Sequence, residues 1–226
     1  MKDKRLLASL LAIALATCSL SVASAAAPPE EEIDQLIERA MDAFEIPGMA
    51  VSIVYDGEVY YSKGHGLVEV SKSTRVDDKT LFQIASVSKA FTAAALAILV
   101  DDGKLDWEDP VIDYLPEFRM YDPWVTREFT IRDLLTHRSG LPLGAGDLLM
   151  FPEAESSREE IIRAMRFLKP STSFRSEFAY DNLLYIIAGE VVGSASGMPF
   201  EEFLEERLLF PLGMTDCAAT LGRTAK

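Results

Sequence analysis

The chain has 226 residues, 49% of them hydrophobic, a formal net charge of −14 and two cysteines, Cys18 and Cys217. That length is enough for one domain with a substantial core. The acidic balance argues against nucleic acid and anionic lipid as partners, favours solubility and names no substrate.

Lys2, Lys4 and Arg5 precede an apolar run from Leu6 to Ala16, too short to span a bilayer. Ala23-Ser24-Ala25 follows with the small-x-small pattern of a cleavage site. Residues 1–25 are therefore expected to be the signal peptide of a secreted or periplasmic protein, with no stable membrane insertion after cleavage. Leu15-Ala16-Thr17-Cys18 has a weaker likeness to a lipoprotein box, in which Cys18 would carry the lipid. Cleavage near Ala25 would remove three positive and one negative side chain, taking the charge from −14 to −16. It would also leave Cys217 alone, so no internal disulfide is expected.

Residues 26–32 read as a linker and 33–226 as one domain. Ile33, Leu36, Ile37, Ala40, Met41 and Phe44 recur at helical spacing, and Pro47-Gly48 ends that helix. Met49–Tyr55 and Glu58–Lys63 are β-rich runs joined by Asp56-Gly57, a strong type I′ hairpin signal. Val68–Arg75 is expected to extend the meander. Ser86–Val100 is apolar nearly all round, which predicts a central helix buried on all sides and stopped by Gly103. Ile131–Thr136 reads as a short helix running into the turn His137-Arg138-Ser139-Gly140. Ser157 and Glu160 form a capping box for a helix through Phe167. Leu183–Val192 is a further apolar helix, and Pro199 at the first helical position opens the last, Phe200–Leu209.

Ser86 and Lys89 are one helical turn apart, so hydroxyl and amine share a face. A desolvated lysine can lose its proton and activate the serine, whose position at a helix start favours developing negative charge. Random Ser-x-x-Lys is common, and the competing reading is an N-cap serine with a lysine reaching to solvent. Ser88 points to a different face and reads as a packing residue. Tyr180 and Asn182 form a second polar cluster ahead of an apolar helix. A phenol near an amine can shuttle protons, and Asn182 can both donate and accept. His65 lies between two glycines at a strand end. His137 could serve a Ser-His-Asp triad, but no serine is positioned against it and a structural role is favoured. No cysteine and histidine spacing suggests zinc and no glycine-rich loop suggests phosphate, so no cofactor or metal is expected.

Phe82-Gln83-Ile84-Ala85-Ser86-Val87-Ser88-Lys89 resembles the active-serine segment of the beta-lactamase-related serine hydrolases. That superfamily includes class C beta-lactamases, D-alanyl-D-alanine carboxypeptidases and related esterases. Ile131–Leu141, Phe178–Asn182 with Ile187-Ala188-Gly189, and Phe210–Met214 are similar to later stretches of the family, in its order. The resemblance implies an α/β fold in which an antiparallel sheet packs on the active-serine helix beside a helical lobe. It makes Ser86 the acylated nucleophile, Lys89 its general base, Tyr180 the proton relay and Asn182 a substrate-binding group. The implied substrate is a small molecule or peptide carrying an amide or ester: a beta-lactam, a D-Ala peptide or a simple ester. The oligomeric state is left open.

The family's third motif, Lys or His followed by a small residue and Gly, is absent after Tyr180, where the only lysine is Lys226 and no histidine remains. The chain is therefore expected to be the N-terminal two-thirds of such an enzyme, truncated before the C-terminal strands. Two readings follow from it: an acyl-enzyme hydrolase, or an inactive relative with at most ligand binding.

Overall fold

The computed structural model describes residues 27–151 and 156–223; the expected signal peptide and Cys18 lie outside them. The chain divides into two units, Met1–Thr80 and Leu81–Lys226.

In the first unit, helix α1 (Glu30–Ala43) opens on three acidic residues that complement the positive end of the helix dipole. Its inner face, Ile33 and Ile37, is buried with Tyr61, and Met41, Met49, Val51 and Ile53 pack around them. Strands β1 (Gly48–Tyr55) and β2 (Glu58–Gly66) form an antiparallel hairpin. Its turn residues, Asp56 and Gly57, have φ of 51° and 81°, the two positive values that a type I′ turn requires. A register shift between Ile53 and Val54 adds a bulge. Val68–Arg75 does not become a third strand. Val68 N–H donates to Thr74 O and Lys72 N–H to Glu69 O, so the segment closes on itself with one bridge, Leu67 to Arg75. Its donors are used locally, which removes the ladder the expectation needed.

The second unit is helical. Helix α2 (Ser88–Asp101) packs on α7 (Leu183–Ser196). Short helices lie between them: α3 (Val111–Tyr114), α4 (Pro123–Glu128), α5 (Ile131–Leu135) and α6 (Arg158–Ala164). Helix α8 (Phe200–Leu204) follows, with Pro199 as its N-cap rather than its first helical residue, and runs on as a π-turn over Glu205–Leu209. Gly103 ends α2 at φ 65°, as expected of a left-handed cap. The Ser157–Glu160 capping box starts α6, and a second one, Thr130 with Asp133, starts α5.

Burial divides α2 and α7 differently from their composition. Only Thr92, Ala95, Leu96 and Leu99 of α2 are buried, one face at i, i+3, i+4, i+7 spacing. Its remaining apolar character comes largely from alanines, and Ala90, Ala93, Ala94 and Ala97 are half-buried or exposed. The helix enclosed by the core is α7, where Leu183, Leu184, Ile187, Ala188, Gly189, Val191 and Val192 are all buried. Phe118, Phe129, Ile131, Leu134, Ile162 and Met165 complete that core.

Candidate active site

Ala85 takes a left-handed φ of 44° and opens a 3-10 turn, Ala85–Val87, that runs directly into α2. Ser86 therefore stands in this turn, exposed, ahead of the α-helix proper. Lys89 lies in the first turn of α2, and its Nζ donates to Ser86 Oγ at 3.3 Å. Lys89 is half-buried rather than sunk in a helix packed on all sides.

The partners of this pair arrive from the segment that leads into α7. Tyr180 Oη donates to Ser86 Oγ at 2.7 Å. Lys89 Nζ donates to Asn182 Oδ1 at 2.7 Å and sits 4.6 Å from the centroid of the Tyr180 ring and 5.3 Å from that of Tyr185. All four residues singled out from the sequence thus come together, Lys89 and Tyr180 on the Ser86 hydroxyl and Asn182 on the Lys89 amine, although ninety-three positions separate Lys89 from Asn182. The Lys89 ammonium, and after it the bond to Ser86, hold the Tyr180 phenol below its ordinary range.

Four further residues surround the cluster. Asp147 Oδ1 accepts from Asn182 Nδ2 at 3.1 Å, which turns the amide oxygen toward Lys89. Tyr185 donates to Leu135 O at 3.0 Å, fixing its ring near the amine, and burial pushes its phenol up. His137 is buried, and its ring stacks on Tyr180 with centroids 4.4 Å apart. Burial, then the charge of Lys89, lowers its imidazole below the ordinary value. Asp181 is 0% exposed; Oδ1 accepts from Leu184 N–H at 3.2 Å while Oδ2 is buried without a hydrogen-bond partner. Burial raises its carboxyl from 3.8 to about 6, against the opposing N–H groups at the start of α7.

The other candidates fall elsewhere. Ser88 is exposed and contributes its carbonyl to Thr92 Oγ1 at 3.4 Å. His65 belongs to the first unit, where it hydrogen-bonds Tyr61 Oη at 2.7 Å. Cys217 is a free thiol. Among the described residues, no group of three or more His, Cys, Asp or Glu side chains is placed to hold a metal ion. No single helix among them is long and apolar enough to cross a membrane.

An exposed serine contacted by an amine and a phenol, the amine held by an asparagine amide, on an α/β frame, defines a beta-lactamase/transpeptidase-like fold. The chain belongs to the Beta-lactamase family, whose model matches residues 33–225. It is similar to the Unguisins hydrolase ungD' of Aspergillus campestris (strain IBT 28561), 34% identical over 196 residues, covering 83% of this chain and 36% of that protein. Among solved structures, it resembles the octameric penicillin-binding protein homologue from Pyrococcus abyssi, with a TM-score of 0.72 and 29% identity. That match covers 83% of this chain and 44% of the other. A class C beta lactamase gives a TM-score of 0.70 and 27% identity, covering 82% of this chain and 49% of that one. The chain thus spans little more than a third of the length of the curated relative and under half of either structure.

Proposed function

We propose that this protein is a serine hydrolase that forms an acyl-enzyme on Ser86 with amide or ester substrates. The observation that carries the proposal is the set of contacts on one hydroxyl, Tyr180 Oη at 2.7 Å and Lys89 Nζ at 3.3 Å. In the proposed reaction Lys89 first gives one ammonium proton to solvent, and the neutral amine then takes the Ser86 proton, directly or through the Tyr180 oxygen, as Ser86 Oγ attacks the carbonyl carbon. The Ser86 N–H, at the start of a helical turn where no intrahelical acceptor is available, can donate to the oxyanion. Tyr180, with its lowered pKa, returns a proton to the leaving group as the carbon–heteroatom bond breaks. Water then adds to the acyl carbon as the Tyr180 phenolate takes its proton, the ester bond to Ser86 breaks, and Lys89 returns its proton to Oγ. Asn182 keeps the amine in place through its oxygen and can orient a substrate amide. Substrates of this chemistry include beta-lactams, D-Ala peptides and simple esters. The hydrolase name of the fungal relative supports the reaction class. Export is proposed on the basic, apolar and small-x-small order of residues 1–25.

The test is covalent labelling of the full chain with a fluorescent penicillin and a fluorophosphonate, followed by peptide mapping. Label on Ser86 that disappears in Ser86→Ala is expected. Label that persists in that variant rejects the assignment, and binding of the penicillin without any covalent label supports the ligand-binding reading instead.

A further inference from the structure

His137 takes a left-handed backbone conformation. Its φ of 55° lies in the left-handed region, which residues carrying a Cβ adopt infrequently. That conformation turns two acceptors toward one short segment. The His137 carbonyl accepts from Ala179 N–H at 2.8 Å, and His137 Nδ1 accepts from Asp181 N–H at 3.1 Å. Tyr180 is the residue between those two donors. Its own carbonyl accepts from Gly144 N–H at 2.9 Å, and its ring lies on the imidazole with an interplanar angle of 28°.

We infer that His137 is a positioning residue for Tyr180: its carbonyl and Nδ1 clamp the flanking peptide groups while its ring supports the phenol against Ser86 and Lys89. The inference rests on the proposed acyl transfer for its purpose, although the clamp itself is a matter of geometry. An Nδ1 that accepts a hydrogen bond leaves the ring proton on Nε2, the neutral tautomer. Its burial and the nearby Lys89 charge favour that same neutral form. Tyr185 and Phe178 also face the ring, with centroids at 5.3 and 5.5 Å, so the imidazole is held in an aromatic setting and its tilt is constrained. The Tyr180 side chain is thus fixed from both sides of its backbone and along one ring face. The proton-carrying oxygen is left to face Ser86.

Two substitutions separate the parts of the clamp. His137→Asn keeps a side-chain acceptor near the Nδ1 position and tolerates a left-handed φ, but removes the ring. His137→Phe keeps an aromatic surface and removes the acceptor. The readout is 3-fluorotyrosine introduced at position 180 of the full chain, titrated by fluorine NMR against free 3-fluorotyrosine. In the parent the fluorophenol is expected to ionise below the free amino acid, because Lys89 and Ser86 contact it. A rise of roughly threefold or more in proton affinity in either variant, toward the free value, supports the clamp and assigns it to ring or acceptor. An unchanged titration in both folded variants overturns it, and His137→Asn alone decides if His137→Phe does not fold. Labelling rates add a second arm: each His137 variant should slow fluorophosphonate labelling of Ser86 about tenfold, yet no more than about twofold in a Tyr180→Phe background. Equal losses in both backgrounds make His137 a general scaffold residue and overturn the inference. If the parent is never labelled, the hydrolase proposal fails, while the fluorine titration still decides the role of His137.

Discussion

Asp181 carries an ionisable group into a place without water, and the consequence is measurable as a pH dependence of stability. Its carboxyl is 0% exposed, one oxygen lacks a partner, and burial raises it from 3.8 to about 6. A difference of that size corresponds to about 3 kcal/mol between the two protonation states. Below about pH 3 the carboxyl is protonated in folded and unfolded chains alike, and it costs nothing. As pH rises through that range the unfolded chain ionises first. Stability therefore falls until the folded group also ionises near 6, and it stays lower above that. Asp181→Asn keeps an oxygen for the Leu184 N–H and cannot ionise. The stability of the variant minus that of the parent should therefore rise by about 3 kcal/mol from pH 3 to pH 8, whatever constant offset the new amide introduces. For a folded chain of this size that is roughly 6–12 °C in Tm, at about 2–4 °C per kcal/mol. Urea unfolding across the pH series, with thermal melts alongside, measures it. Parallel stability curves for parent and variant would refute the reasoning, because they would mean that Asp181 titrates alike in the folded and unfolded chains.

Asp147→Ala should slow Ser86 labelling by about tenfold, since a charge-assisted hydrogen bond is worth roughly 1.5–3 kcal/mol and Asp147 is only half-buried. Asp147→Asn, which retains an acceptor for Asn182 Nδ2, should recover most of the rate; equal losses in the two variants would show that amide orientation is not what Asp147 supplies. In the first unit, a Cβ on Gly64 would lie 2.3 Å from Val76 O and 2.6 Å from Asp77 N, both backbone atoms. Gly64→Ala should cost about 3 kcal/mol, the upper end of overpacking, read as a lower urea midpoint at unchanged slope.

The Ser86–Lys89 pair is legible in the sequence because the two residues lie within one turn, where spacing translates directly into distance. Tyr180 and Asn182 were recognisable as polar residues ahead of an apolar helix, but their meeting with Lys89 depends on the packing of α7 against α2. The Asp56-Gly57 turn and the Ser157 capping box were readable for the same local reason: each satisfies its own backbone groups within a few residues. Burial was less readable. Helices α2 and α7 are both apolar, and periodicity does not say which one the rest of the core will enclose. Asp147 gave no signal, because its role comes from a loop approaching Asn182 from thirty-five positions away. From the sequence alone His137 reads as structural. Its contact with Tyr180 follows from a left-handed backbone that a histidine does not announce.

The turn before Ser86 has a thermodynamic consequence of its own. Ala85 is held at a φ of 44°, in a region that a residue with a Cβ avoids, immediately before Ser86. Conformational cost of this kind, of order 1–3 kcal/mol, is met once, when the chain folds. A serine on a relaxed, mobile loop would instead lose that freedom at every encounter with substrate, and the loss would enter the activation barrier. In the proposed acyl transfer, the left-handed alanine would move a conformational cost from the reaction to the folding equilibrium, where the buried core of the second unit can absorb it.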